Sequence, residues 1–162
     1  MRAPLACIAV IAGVAMASPA LAQDEQLYTA EMAEEALQDL GVEYEAYELD
    51  DGHQAFRFRF ESGFIARLHL RACDEGQCRA ISLYASWDDA QPSAEDLHRY
   101  HQNYVFGRVF MNGDALTVHR YLIADGGITK NNLVENLRVF GDLAPRIPTH
   151  IANLREAAEG AE

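Results

Sequence analysis

The feature that most constrains the fold of this chain is the stretch FIARLHLRACDEGQCRAISLY, residues 64–84, which is typical of a β-hairpin with a cysteine on each side of its tip. If Cys73 faces Cys78, antiparallel pairing sorts the flanking residues into two faces. One face receives the pairs Leu68/Leu83 and Leu70/Ile81, and the other receives Arg67/Tyr84, His69/Ser82 and Arg71/Ala80. A slip of one residue would mix the two faces, so the sequence predicts this register and a disulfide around a four-residue loop.

A second hairpin precedes the first, because residues 42–49 and 53–60 both alternate between polar and apolar side chains around Asp50-Asp51-Gly52. A three-residue loop with Gly52 in the left-handed conformation pairs Tyr44 with Phe58 on one face. The same register pairs Glu43 with Arg59 and Glu45 with Arg57 on the other face. A two-residue turn would instead set the glutamates opposite phenylalanines, so we predict the three-residue loop.

Helical patterns surround these hairpins. We predict a helix over 28–40 capped by Thr29, a helix over 93–106 that begins with a capping box of Ser93 and Asp96, and a last helix after Thr129. Between the last two helices, a hairpin turns at Asn112-Gly113, and the registers with and without Asp114 in the turn are both open. Pro148 can begin a short final helix.

The predicted order α-β-β-β-β-α-β-β-α indicates an α+β domain whose antiparallel sheet is covered by helices on one face. The uncovered face should then carry a basic cluster: Arg57, Arg59, Arg67, His69 and Arg71. Arg67 and Arg71 have no obvious acidic partner on a neighbouring strand. This cluster is either an ordinary solvated sheet face or a surface for an anionic or protein partner, and both interpretations are open.

Residues 1–22 have the pattern of a secretory signal peptide, with basic Arg2, an apolar run, and Ala20-Leu21-Ala22 before an expected cleavage at Gln23. We therefore expect export to the bacterial periplasm, or secretion. Residues 23–155 would form one domain, and residues 156–162 an acidic tail that frays. Cys7 leaves with the signal, and the two remaining cysteines suit an oxidising compartment.

The charge balance restricts the partners. The chain has 13 basic and 25 acidic residues, and removal of Arg2 leaves 12 basic residues and a formal charge of −13. Nucleic acids and anionic membranes bind basic surfaces, so the sequence argues against both as general partners.

Three stretches resemble one family: ALQDLGVEYEAYELDDGHQAFRFRFE, LHRYHQNYVFGRVFMNGDALTVHRYL, and Asp125-Gly126-Gly127-Ile128-Thr129. Together they span most of residues 32–154, and they resemble the YbjN-like domains of bacteria, which are described as sensory transduction regulators. The resemblance implies a fold similar to type III secretion chaperones, which are partner-binding α+β modules and frequently dimers. It implies no enzymatic activity.

Two functional hypotheses follow. The favoured one is an exported, non-enzymatic, chaperone-like or regulatory module without a cofactor, which docks a protein partner, or a second copy, through its sheet face or an edge strand. The alternative is a small-molecule or metal sensor or enzyme. It would use a pocket lined by Tyr44, Tyr100, Tyr104 and Tyr121, or a metal held by His98 and His101 with Glu95. Familiar catalytic motifs are absent from the sequence.

Overall fold

The structure is a computed structural model that describes residues 26–160. The expected signal peptide, residues 1–22, and its cleavage site before Gln23 lie outside the described residues. Residues 161 and 162 at the end of the expected tail also lie outside them.

The described residues form helices and strands in the predicted order, which confirms the α+β class. The first part of the chain contains α1 (Ala30–Leu40), β1 (Glu43–Glu48), β2 (Gln54–Arg59), β3 (Ile65–Asp74) and β4 (Gln77–Trp87). The second part contains α2 (Ala94–Asn103), β5 (Arg108–Asn112), β6 (Ala115–Ile123), α3 (Lys130–Leu143), a 3₁₀ turn (Ala144–Arg146) and α4 (Ile147–Glu159). Helix α4 therefore includes Glu156–Glu159 of the segment that we expected to be a tail. None of these helices is long and apolar enough to span a bilayer.

Local signals start the helices where the sequence predicted. The side chains of Thr29 and Thr129 accept hydrogen bonds from backbone amides in the first turns of α1 and α3. At α2, Ser93 and Asp96 form a reciprocal capping box, and Ser93 N donates to Asp96 Oδ2 over 2.9 Å. These contacts satisfy amide groups that a helix start otherwise leaves without partners.

The hairpin between β3 and β4 has the predicted register. Leu68 pairs with Leu83, and Cys73 pairs with Cys78 and forms a disulfide with it. The tip is tighter than a four-residue loop, because Asp74 and Gln77 still pair and only Glu75 and Gly76 form the turn. Both turn residues have positive φ, 48° and 80°, as a type I′ turn requires.

Of the other two hairpins, the one between β1 and β2 has the predicted register and the one between β5 and β6 does not. Between β1 and β2, Glu45 pairs with Arg57, and Gly52 has φ 79° and closes a three-residue loop. Between β5 and β6, Asn112 pairs with Ala115, so Asp114 belongs to a two-residue turn with Gly113. The turn is therefore one residue later than the predicted Asn112-Gly113, because Asn112 is still paired in β5, and the register is neither of the two that the sequence left open.

The six strands form one antiparallel sheet in the order β1-β2-β3-β4-β6-β5. The helices cover one face, where Phe56, Phe58, Leu68 and Leu83 are almost completely buried. Helix α1 packs against α3, where Lys130 makes ion pairs with two carboxylates of α1, and α2 packs against α4. Apolar burial on this face is the main stabilising contribution, and within residues 26–160 no helix covers the opposite face.

The disulfide-bonded hairpin tip is also hydrogen-bonded to the segment that precedes α1. Tyr28 is 1% exposed and exchanges two backbone hydrogen bonds with Cys78, of 3.0 and 2.7 Å. Cys78 thus pairs with Cys73 on one side and with Tyr28 on the other. This second pairing was not predicted, and it fixes the entry of the chain into α1 against β4.

Candidate functional site

The basic cluster predicted from the hairpin registers lies on the sheet face opposite the helices, which we call the open face. In β2, Phe56 and Phe58 point into the core while Arg57 and Arg59 are exposed. The same alternation in β3 places three further basic residues on the open face: Arg67, His69 and Arg71. The structure therefore places all five residues on one surface.

The open face contains functional groups that the sequence did not indicate. Because β6 pairs with β4 and β5 pairs with β6, Tyr84 lies beside His119, and His119 lies beside Arg108. Tyr121 lies two residues further along β6, and its side chain is 50% exposed. The alternation within β5 and β6 was visible in the sequence, but the face could be assigned only from the order of the strands.

Arginines lie on both sides of the aromatic pair Tyr84 and His119. One cross-strand row contains, from edge to edge, Glu45, Arg57, Arg67, Tyr84, His119 and Arg108. With strands about 4.8 Å apart, Arg108 stands about 14 Å from Arg67 across the sheet. The acidic residue of this row, Glu45, lies on the edge strand β1. Glu43, which pairs with Arg59 in the neighbouring row, lies on the same edge strand.

The cross-strand ion pairs expected at β1 and β2 are in register, but their charged groups do not meet. Among residues 26–160, no carboxylate lies within salt-bridge distance of Arg57, Arg59 or Arg67. Arg59 instead donates to the Gly63 carbonyl oxygen over 3.3 Å. Arg57 and Arg67 are exposed and free to bind an anion from outside.

Arg71 does have an acidic partner, which corrects the expectation from the sequence. Its Nη1 lies 3.4 Å from Oδ2 of Asp51, in the turn between β1 and β2. The sequence pattern missed this contact because Asp51 is in a turn and not on the neighbouring strand. The pair is partly exposed, so it neutralises part of the Arg71 charge with little gain in stability.

His69 is held between a hydrogen-bond donor and an acceptor. Arg71 Nη2 lies 3.3 Å from His69 Nδ1, and because arginine only donates, Nδ1 is the acceptor. Nε2 then carries the proton and donates to Tyr47 Oη over 2.9 Å. Burial, followed by the charges of Arg71 and Arg67, lowers the pKa of His69 to about 4. The residue is therefore neutral at neutral pH.

His119 is constrained in a similar way on β6. Its ring stacks on Tyr84 with the centroids 4.5 Å apart and the planes within 7°. Its Nε2 lies 3.1 Å from Ser82 Oγ, which is itself buried. Burial and then the charges of Arg108 and Arg71 lower the pKa of His119. Tyr84 also contacts the His69 ring, with centroids 5.0 Å apart, so the three rings form one rigid layer.

This arrangement determines what the open face can bind. Tyr84 and His119 cover one face of each other, and the His69 ring lies against Tyr84 with the two planes tilted by 48°. The charged groups are guanidinium groups, which donate hydrogen bonds and fit carboxylate or phosphate oxygens. The surface is therefore suited to binding an oxyanion by hydrogen bonds and charge.

The histidines considered as metal ligands are engaged elsewhere. His101 Nε2 lies 2.9 Å from the Val109 carbonyl oxygen, and His98 Nε2 lies 3.0 Å from Gln102 Nε2. Glu95 makes an ion pair with Arg99 over 2.6 Å. Within residues 26–160, no three His, Cys, Asp or Glu side chains are grouped so that they could hold a metal ion.

The four tyrosines considered as pocket-lining residues do not converge. Tyr100 is buried under the helical layer, where it stacks on Tyr104 with centroids 5.0 Å apart. Tyr104 Oη hydrogen bonds to His150 of α4 over 3.2 Å. Tyr121 is on the open face, and Tyr44 contacts Gln38 of α1. These residues lie on different sides of the sheet and line no common cavity.

Comparison with known proteins identifies the family. A family model named YbjN, described as "Putative bacterial sensory transduction regulator", matches residues 29–152. No curated protein and no solved structure matched the chain. The matched residues extend from the cap of α1 into α4 and contain the whole sheet. The chain therefore belongs to the YbjN family.

Proposed function

We propose that this protein is an exported, non-enzymatic regulatory module that works by docking a protein partner on its open face. The observation that carries the proposal is the uncovered sheet face, with five arginines around the Tyr84–His119 stack: Arg57, Arg59, Arg67, Arg71 and Arg108. The family description as a regulator agrees with a binding role.

The construction of the face supports docking over a purely structural role. A solvated sheet face needs no rigid layer, yet His69, Tyr84 and His119 are held by hydrogen bonds and stacked rings. Two apolar side chains at the end of β6 are also exposed, Tyr121 at 50% and Ile123 at 60%. Rigid polar groups beside exposed apolar groups are typical of protein interfaces.

The face is a better docking site than the edge strand β1. That strand carries Glu43, Glu45 and Glu48, and charged side chains on an edge strand oppose the addition of another strand. The open face is not protected in this way, and most of its charged side chains are basic.

Site-specific photocrosslinking in living bacteria tests this proposal. A benzoylphenylalanine at position 121 lies on the open face, and the same probe at the 39%-exposed Leu143 of α3 is the matched control. We expect a discrete crosslinked protein from position 121 that position 143 does not give. Addition of Arg67→Glu should abolish it, and Arg146→Glu, an equal charge change at an exposed residue of the helical layer, should not.

Two results would contradict the proposal: the same crosslinks from positions 121 and 143, or no crosslink from position 121. Export is tested separately by cell fractionation with an antibody against the native protein. Recovery of the shortened chain in the periplasmic fraction is expected. Recovery of full-length chain in the cytoplasm would exclude export.

A further inference from the structure

We infer that the occupant of the open face is an acidic segment of the partner protein, whose carboxylates lie over Arg57 and Arg67 on one side of the aromatic layer and over Arg108 on the other. This inference rests on the proposed docking function. It adds the chemistry of the partner, which the docking proposal leaves open.

The first argument is charge complementarity. The chain has 13 basic and 25 acidic residues, and five of the basic ones stand on this single face. The remainder of the protein is therefore strongly acidic. An acidic segment is attracted to the face and repelled elsewhere, so its position on the molecule is determined by electrostatics.

The second argument is the repulsion between two neighbouring arginines, Arg57 and Arg67. Arg57 and Arg67 are Cα partners in adjacent strands, so two side chains of like charge leave the sheet at directly opposite positions. Like charges directly opposite each other destabilise a sheet. A carboxylate between them relieves the repulsion and accepts hydrogen bonds from both, which makes this pair the strongest single anion position on the face.

The third argument is spacing. Arg108 stands about 14 Å from Arg67 across the sheet. In an extended segment, side chains on one side repeat about every 6.6 Å, so carboxylates four residues apart span about 13 Å. One extended acidic segment can therefore reach both cationic positions while it crosses the Tyr84–His119 stack.

The aromatic layer favours a peptide over a single-stranded nucleic acid. Nucleic-acid platforms offer free ring faces on which bases stack. Here Tyr84 and His119 are stacked on each other with centroids 4.5 Å apart, and the His69 ring lies tilted against Tyr84 with centroids 5.0 Å apart. Within residues 26–160 the hydroxyl group of Tyr84 makes no side-chain hydrogen bond, whereas His119 Nε2 contacts Ser82 Oγ.

The test uses the mature protein and a defined probe, a labelled peptide of about twelve residues in which glutamate alternates with threonine. Amide chemical-shift changes should map to β2, β3, β4 and β6. The affinity should fall about tenfold between about 50 and 300 mM salt, because salt screens exposed charges. Arg67→Glu should weaken binding about tenfold or more, and Arg146→Glu less than about twofold.

Control ligands identify what the face recognises. The same peptide with glutamine in place of glutamate should not bind. Equal binding of the glutamine peptide, tighter binding of oligothymidine, or shifts confined to the helices would overturn the inference. If the glutamate peptide does not bind while the crosslink from position 121 persists, the inference of an acidic segment is wrong and the docking function is still supported. If both fail, both are wrong.

Discussion

Arg71 Nη2 donates a hydrogen bond to Nδ1 of His69 over 3.3 Å, and this contact fixes the tautomer of the neutral histidine. A proton on Nδ1 would face the guanidinium group directly, so protonation requires the two side chains to separate. The charged or titratable groups that act on this equilibrium are Arg67, Arg71, Asp51 and His119, and the ring also contacts Tyr47 and Tyr84. Asp51 favours the protonated ring, but burial and the two arginines outweigh it.

The first prediction is that mild acid destabilises the fold through His69. Its pKa is about 4 in the folded protein, against an ordinary value of 6.5. Between these values the unfolded chain binds a proton that the folded chain does not, so the free energy of unfolding decreases as the pH falls. Above pH 6.5 this contribution is constant. Urea unfolding at several pH values across this window measures the effect.

The matched control is His69→Gln, because glutamine can accept from Arg71 and donate to Tyr47 without titrating. We expect the difference in stability between wild type and variant to change with pH in favour of the variant as the pH is lowered. His119 titrates with the same sign, so the double variant with His119→Gln should flatten the profile further. Parallel profiles for all three proteins would contradict the prediction.

The second prediction concerns the disulfide. It closes a loop with a sequence separation of 5, and a loop this short contributes about 2 kcal/mol in the chain-entropy model. We expect the Cys73→Ala/Cys78→Ala variant to fold, with the free energy of unfolding lower by about 2 kcal/mol or less. Amide exchange should accelerate at the hairpin tip and at Tyr28, which pairs with Cys78. Acceleration spread uniformly over the sheet would contradict a local role.

The third prediction tests the helical layer. Phe140 of α3 is completely buried, and its ring lies 6.3 Å from that of Phe64 and 5.8 Å from that of Phe106. Phe140→Ala leaves a cavity under the sheet and should lower the free energy of unfolding by about 3–5 kcal/mol. Val139→Ala is the control, because Val139 is adjacent in the same helix and 37% exposed. Similar decreases in the free energy of unfolding for the two variants would contradict the prediction that Phe140 belongs to the core.

The registers of the first two hairpins could be predicted because each depends on local information. The cysteine pair and the alternation of leucines determine the pairing of β3 and β4, and the glutamates and phenylalanines do the same for β1 and β2. Five residues of the open face followed directly from these registers. The function of those residues did not, since a pattern of exposed arginines is the same for a solvated face and for a docking face.

The order of the strands could not be predicted from these patterns. The hairpin of β5 and β6 could meet β4 through either strand, and β6 is the one that pairs with it. The reason is visible in the burial of β6, where Leu116, Thr117 and Val118 are buried in succession. A strand buried on both faces belongs inside a sheet, and the short β5 suits its edge. Without this order, Arg108 and His119 could not be assigned to the open face.

The last prediction is that acidic peptides bind the open face more tightly as the pH falls below neutrality. Burial, and after it the arginine charges, lower the pKa of His69 and His119; a bound carboxylate opposes the arginine charges, so we expect both pKa values to rise in the complex. The complex then takes up protons, and linkage requires the affinity to increase with acidity. Fluorescence anisotropy at constant ionic strength, at about pH 7.5, 6.5 and 5.5, measures this. His69→Gln/His119→Gln should still bind the peptide but lose the increase, because arginines do not titrate in this range. A pH-independent affinity in the wild type would show that the histidines do not sense the bound anion.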